Sequence, residues 1–413
     1  KHNKIVELPL LKVVVLMYLF LAIIMLSCAQ FGSQIFLPAL PDIAKHYALS
    51  DHRAQQIMML YFIGFGLSQL VFGPWSDKVG RRKVFLLGQF MFVIGSLFSL
   101  FAETPTMLAI GRILQGIGAG APLIVSRTLL SDVYKDSKLK QAFSSLAIAA
   151  SIISVLAPII GGAVTTYANW QMLFLAFSAY LIAVWVIGYK LLPTHESTGL
   201  KTSPLIVIQE YKGFILDGRF ISAALFKWLP SLLFLTCVTY FPFVFQQQLE
   251  VSATAYGFYM TLSMIGLVLG TVMTKISQRY LSYQSILALF LPLLLLSGVG
   301  FYFLPFSLNS LLISYGLFMV CAGAFYPCCL HLIVSPFQEK SGAVSALSGA
   351  IDMIFASVMA SLAIKYWVSD VKSLGALFIL VSILLLLSWF QMSRRSNSST
   401  ELKEKDLYLL KDS

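Results

Sequence analysis

The stretch GPWSDKVGRRKV, running from Gly73 to Val84, decides how the rest of the chain is read. It packs one acid, Asp77, and four cations, Lys78, Arg81, Arg82 and Lys83, into twelve residues. On either side the charges stop: residues 54–73 and 84–101 contain no Asp, Glu, Lys or Arg. About 20 apolar residues, each rising 1.5 Å along a helix, cross a hydrocarbon layer of about 30 Å. The stretch therefore reads as a short polar turn between two membrane-crossing helices. Gly73 is expected to permit close helix approach, Asp77 to sit just past a helix end, and Gly80 to allow the turn.

Working outward, the same pattern recurs along the whole chain. Apolar runs of spanning length cover roughly 13–38, 54–73, 83–101, 106–130, 140–166, 170–191, 220–246, 254–277, 284–304, 309–335, 342–367 and 373–392. They are continuous instead of alternating, which excludes barrel strands and leaves helices that pair their own backbone groups. The first run is about 25 residues long with no small-residue cleavage site after it, so it reads as a span and not a signal peptide. With 58% hydrophobic and 11% charged residues and a mean hydropathy of +0.83, a water-soluble domain is excluded.

The net charge of +11 would suggest nucleic acid in a soluble protein. Here 23 of the 29 Lys and Arg fall in the loops and termini on one side of the twelve runs, while Lys45, Arg53, Lys365 and Lys372 fall on the other. Positive residues mark the cytoplasmic side, so both termini are expected there and no nucleic-acid partner is implied. All five cysteines lie within spans and read as small hydrophobes. Cys321, Cys328 and His331 share a helix face, but no carboxylate joins them and no metal is expected.

The longest internal hydrophilic stretch is Pro193–Gly218. It divides the chain into residues 1–192, a six-span bundle; 193–219, a cytoplasmic linker; 220–393, a second six-span bundle; and 394–413, a cytoplasmic tail. The halves echo one another. Gly73, Lys78 and Arg82 are matched 197 residues later by Gly270, Lys275 and Arg279, and Gly118, Ala119 and Pro122 are matched 205 residues later by Gly323, Ala324 and Pro327. Paired halves are a common way for a transporter to form a binding site at the midplane.

Polar groups inside the apolar runs are expensive, and so are candidates for function. Arg112 lies roughly 9 Å into its span, either facing a cavity or clamping a neighbouring carbonyl. Gly116 and Gly120 make a small-xxx-small face for close packing. Pro158 removes a helical hydrogen bond beside the pliable pair Gly161-Gly162. Ser27, Gln30 and Gln34 form an uncharged polar stripe. Asp352 is the one acid deep in a span, about 15 Å along it. Burial favours the protonated form of a carboxyl, as a proton carrier requires, although a hydrogen-bonded acid in a packing seam would look the same in sequence. Lys227 either faces a cavity or snorkels. His331 lies near the end of its span. Tyr61, Tyr240, Tyr256, Tyr259 and Tyr326 are candidates for contact with a flat organic molecule.

The order of an acid before Gly-Arg-Arg-Lys resembles the signature loop of the major facilitator superfamily. Ile110–Gly120 (IGRILQGIGAG) resembles its intramembrane arginine motif, and Ala157-Pro158-Ile-Ile-Gly161-Gly162 its antiporter motif, with Ala157 in place of the usual Gly. Leu37-Pro38-Ala39-Leu40-Pro41-Asp42-Ile43-Ala44 closes the first span as in drug:proton antiporters of the Bcr/CflA type. The resemblance implies an all-α integral membrane protein of the inner membrane, with two six-helix bundles around a central cavity. It implies a monomer that exports small organic molecules by alternating access, driven by the proton gradient without a cofactor. Proton coupling would fall to Asp352 and Arg112, and substrate contact to Gln30, Gln34, Tyr61, Arg112, Lys227, Tyr240 and Tyr326. Gly73, Asp77, Gly80, Arg81 and Arg82 would form a conformational latch, with Asp77 capping the span that begins near Ser341-Gly342. Pro158, Gly161 and Gly162 would seal the interface between halves.

One departure matters. Gln34 stands where many such antiporters carry an acid, which shifts weight toward anionic or zwitterionic substrates such as a siderophore. Nutrient uptake by proton symport and a non-transporting membrane sensor are the other readings. No catalytic or nucleotide-binding motif occurs in a usable context, so an enzyme is not expected.

Overall fold

The computed structural model describes residues 3–193 and 204–409, with side chains described over most of 16–193 and 209–393; the side chain of Asp77 lies outside the described residues. The described chain is helical without a strand. Its α-helices are α1 (Asn3–Gln34), α2 (Leu40–His46), α3 (Asp51–Val79), α4 (Arg81–Leu100), α5 (Pro105–Val133), α6 (Asp136–Tyr167), α7 (Trp170–Leu191), α8 (Pro204–Leu216), α9 (Gly218–Phe243), α10 (Ala253–Ser277), α11 (Tyr283–Phe303), α12 (Leu308–Val334), α13 (Ser341–Tyr366) and α14 (Val371–Leu409). Three short segments interrupt them: 3-10 turns at Leu37–Ala39 and Ser335–Lys340, and a π turn at Val244–Gln248.

Among the described residues twelve helices are long and apolar enough to cross a membrane, from Leu16–His46 to Val371–Gln391. They coincide with the twelve apolar runs to within a few residues, because hydropathy governs where a helix can sit in lipid. Their starts follow capping chemistry. Thr104 accepts from the Met107 amide before Pro105, Asn169 caps α7, and Ser282 and Ser307 cap α11 and α12.

Three local expectations are corrected. α3 runs on through Asp77 to Val79, so Asp77 lies in the last helical turn and not beyond it. The turn itself is made by Gly80, whose φ of 99° suits glycine. Gly73 does not serve close approach, since a Cβ there would meet nothing within 4 Å. The linker also contains α8, whose Phe214 is buried edge-on against Phe337 (5.1 Å) while Glu210 pairs with Lys340 (2.8 Å). At the C-terminus α14 continues as helix to Leu409.

Contacts group the chain into two compact units. The first comprises Lys1–Ile208, Leu235–Thr261 and Gly349–Lys365; the second comprises Gln209–Phe234, Leu262–Ser348 and Tyr366–Ser413. Within the first, α5 is the hub, touching α1, α3, α4 and α6. Its glycines explain why. A Cβ on Gly116 would strike the Tyr61 carbonyl, one on Gly118 the Phe92 backbone, and one on Gly120 the Ser68 hydroxyl. Within the second unit α11 lies against α12 and α14. There α10 and α12 approach through Gly266 at the Gly316 carbonyl, Gly270 at the Val320 carbonyl and Gly323 at the Leu267 carbonyl. Gly64 meets the Ile113 carbonyl in the first unit in the corresponding way, so the faint sequence echo has a counterpart in helix packing.

Candidate functional site

The first unit holds a fully buried cation. Arg112 of α5 has no solvent exposure. Its Nη1 donates to Gln115 Oε1 at 2.7 Å, one turn along the same helix, and its Nη2 reaches the Gly32 carbonyl of α1 at 3.5 Å. The guanidinium carbon lies 5.1 Å from the Phe36 ring centre and 4.8 Å from that of Tyr61. Nε has no acceptor among the described residues, and no carboxylate lies among the group's partners. Two aromatic faces and two oxygens therefore carry a charge that would otherwise be costly to hide. Of the two readings left open by sequence, the clamp onto a carbonyl describes this geometry.

The cage is held in turn. Tyr61 is fully buried, donates to the Ala29 carbonyl at 3.0 Å and stacks on Phe65. Phe36 stacks on Phe174 at 4.1 Å and meets Phe177 edge-on. The polar stripe of α1 continues the site. Ser27 and Gln34 are buried and Gln30 is half-buried. Ser27 shares a very short hydrogen bond with the Tyr180 hydroxyl of α7, and Gln89 of α4 donates to the Leu181 carbonyl at 3.0 Å and approaches Cys28. α4 and α7 thus meet α1 through hydroxyl, amide and thiol groups.

The loop that opened the sequence reading ties helix ends together. Arg81 makes a two-pronged pair with Asp132 at the end of α5 (2.7 and 3.2 Å) and reaches Ser76 at 3.2 Å. Arg82 donates to the Tyr189 carbonyl at 2.6 Å, its guanidinium 5.1 Å from that ring. These bonds unite the basic ends of α3, α4, α5 and α7.

At the opposite end α6 is seamed to α10. A Cβ on Gly161 would strike the Ile35 carbonyl, one on Gly162 the Ala253 carbonyl, and one on Gly257 the Pro158 carbonyl. Thr254 Oγ1 lies 2.9 Å from Thr166 Oγ1 and 3.3 Å from the Gly162 carbonyl, and Thr261 donates to the Val155 carbonyl at 2.8 Å. The Pro158-Ile-Ile-Gly-Gly segment is where these backbones come closest.

Asp352 sits mid-helix in α13 at 2% exposure. Ala350 and Ile354 on one face of α13 meet Gly66 of α3, and Gly349 meets Gln69. Asp352 lies on the other face, one turn after Ser348, whose carbonyl accepts the Trp228 indole at 3.2 Å. A Cβ on Gly342, expected in the same packing seam, would meet nothing. In the second unit Lys227 is half-buried, its Nζ 5.9 Å from the Tyr326 ring, and Tyr326 is exposed. Tyr240 is buried in the first unit, and Tyr256 and Tyr259 pack on Phe245. His331 stacks on Tyr283 at 4.0 Å, while Cys321 and Cys328 are buried.

Sequence reading missed Phe36, Gln115, Tyr180 and Asp132. Gln115 and Asp132 carried a signal, being the polar residue one turn from Arg112 and the acid closing the same helix. Phe36 and Tyr180 carried none, since aromatic residues are common in lipid-spanning helices.

Among the described residues, twelve helices long and apolar enough to cross a membrane carry a buried arginine and glycine-mediated helix crossings. Residues 22–360 match the Major Facilitator Superfamily, and the chain belongs to that family. It is 26% identical over 391 residues to Multidrug resistance protein D of Escherichia coli (strain K12), covering 91% of this chain and 96% of that one. It is also 26% identical to Multidrug resistance protein MdtL of Shigella flexneri serotype 5b (strain 8401), covering 86% and 89%. The peptide transporter POT in complex with sulfate shares the fold, with a TM-score of 0.75 at 15% identity over 93% of this chain and 94% of that one. So does a bacterial homologue of the human lysosomal transporter Spinster, with a TM-score of 0.70 at 14% identity over 92% and 97%. These relatives and neighbours are transporters, not enzymes.

Proposed function

We propose that this transporter is a monomeric proton-coupled exporter of small organic molecules across the inner membrane, with the basic ends of its helices and both termini in the cytoplasm. The observation that carries the reading is that a fully buried Arg112 and a 2%-exposed Asp352 both lie within membrane-spanning helices of an otherwise charge-poor interior. Asp352 is the proton site, taking up a proton from one side of the membrane and releasing it to the other as access alternates. Arg112 holds α1 against α5 through Gly32 and sets the field in which that proton is exchanged. Gln30, Gln34 and Tyr240 of the first unit contact the substrate. The Pro158-Gly161-Gly162 seam keeps exchange obligatory, and the Arg81 and Arg82 bonds hold the cytoplasmic ends as one body. The two relatives named for multidrug resistance support export.

Among the described residues no carboxylate partners Arg112, and this, with Gln34 on α1, favours a second reading of the cargo as an anionic or zwitterionic metabolite. The test is efflux of a substrate panel in a strain lacking its main exporters, repeated in inverted vesicles under an imposed pH gradient. Asp352→Asn is expected to abolish pH-driven transport while leaving substrate binding measurable; pH-driven transport at the parent's rate would overturn the assignment of the proton site.

A further inference from the structure

Two irregular turns of the first unit meet at the end opposite the basic loops. The 3-10 turn Leu37–Ala39 separates α1 from α2. In 3-10 geometry the Pro38 carbonyl would be taken by the N–H of residue 41, but that residue is Pro41 and has none. The carbonyl instead accepts from Gln246 Nε2 at 2.9 Å. Gln246 lies in the π turn Val244–Gln248, where the Leu249 amide reaches back to the Val244 carbonyl. π turns are uncommon and sit mostly where a helix must re-aim its side chains. This one aims the Gln246 amide across to the turn between α1 and α2. Gln248, the third glutamine of the run, has no hydrogen bond among the described residues. A cleft of about 400 Å³ lined by Asp42, Lys45, Asp51, Gln246, Gln247 and Ser252 lies alongside.

We infer that Gln246 forms a clasp that holds this end of the first unit closed, with Pro41 keeping the Pro38 carbonyl available to receive it. The clasp is separate from the α6–α10 seam, which closes the same end by glycine contacts and threonine hydroxyls. Gln246 supplies a directional bond that must break completely when this end opens, whereas packed backbones can slide. The inference does not depend on the direction of transport or on Asp352.

The test uses the full chain in membrane vesicles with Thr166→Cys and Thr254→Cys. Their hydroxyls are 2.9 Å apart, so the two sulfurs are within disulfide reach when the seam is closed. Mild oxidation followed by a maleimide–polyethylene glycol gel shift reports closure as two fewer reactive thiols. Gln246→Glu replaces the donor by an acceptor facing a carbonyl, and Pro41→Ala returns an N–H that competes for that carbonyl from within the turn. Each is expected to slow cross-linking at least threefold, while Gln248→Glu leaves it unchanged. Cross-linking at the parent's rate in both Gln246→Glu and Pro41→Ala would overturn the clasp, as would equal slowing by Gln248→Glu.

Discussion

At the scale of single residues, the two classes of glycine in this chain have opposite meanings. Gly116 lets α5 touch the backbone of α3, because any side chain there would strike the Tyr61 carbonyl. Gly73, part of the signature loop, borders open space. Gly116→Ala is therefore expected to cost about 1–3 kcal/mol through forced separation of two helices. Gly73→Ala, in a helix interior, should be neutral or stabilising by up to about 1 kcal/mol. Thermal unfolding midpoints in detergent separate the two, and equal loss in both would contradict the packing. Sequence alone ranked these glycines alike. It located Arg112 for a sound reason, since one cation inside an apolar run is conspicuous. What surrounds that cation was hidden, because Phe36 approaches it from the turn after α1 and Tyr61 from α3, and nothing local marks an aromatic ring as a counterpart for charge.

At the scale of elements, spans were legible and irregularities were not. Hydropathy locates a helix in lipid to within a turn, so the twelve apolar runs and the twelve helices agree. α8 escaped because its hydrophilic neighbours dominate the stretch; its place is set by Phe214 against Phe337 and Glu210 with Lys340, both distant in sequence. The π turn escaped because its partner, the Pro38 carbonyl, lies 208 residues away in sequence. Helix starts, by contrast, follow local chemistry, and Asp370 gives a measurable case. It accepts the Ser373 amide at 2.8 Å and the Ser373 hydroxyl at 2.7 Å, while that hydroxyl also receives the Asp370 amide, which closes a reciprocal cap before α14. The Ser373 amide, and then its hydroxyl, hold the Asp370 carboxyl below the usual carboxylate range. A carboxylate depressed in the folded state stabilises above its unfolded value of about 3.9, and that stabilisation is lost as pH falls through the folded value. Asp370→Ala should thus lose about 1 kcal/mol at neutral pH. The gap to the parent should narrow below about pH 4; a gap independent of pH would show that the charge plays no part.

At the scale of the whole molecule, the signature loop and the positive-residue count foretold a twelve-helix membrane protein and the family to which it belongs. The internal repeat was faint as sequence and is plainer as packing, because Gly64 and Gly266 perform the same crossing with different residues around them. Orientation rests on charge alone and has a direct test. By the charge pattern, Tyr167, 85% exposed at the end of α6, is expected on the outer side, and Tyr280, 82% exposed beside Arg279, on the cytoplasmic side. A membrane-impermeant maleimide applied to intact cells should label Tyr167→Cys and should reach Tyr280→Cys only after permeabilisation. The reverse pattern would place the termini outside.

The seam between α6 and α10 has a consequence for how the protein meets its surroundings. It is built from glycines, threonine hydroxyls and backbone carbonyls, whereas the opposite end is fastened by Arg81 to Asp132 across partly exposed side chains. Dissolved ions screen the second kind of fastening and leave the first almost untouched. The two ends therefore answer to different variables, one to ionic strength and the other to volume and shape. Rising ionic strength is therefore expected to loosen the Arg81 end of the first unit and to leave its α6–α10 seam unchanged.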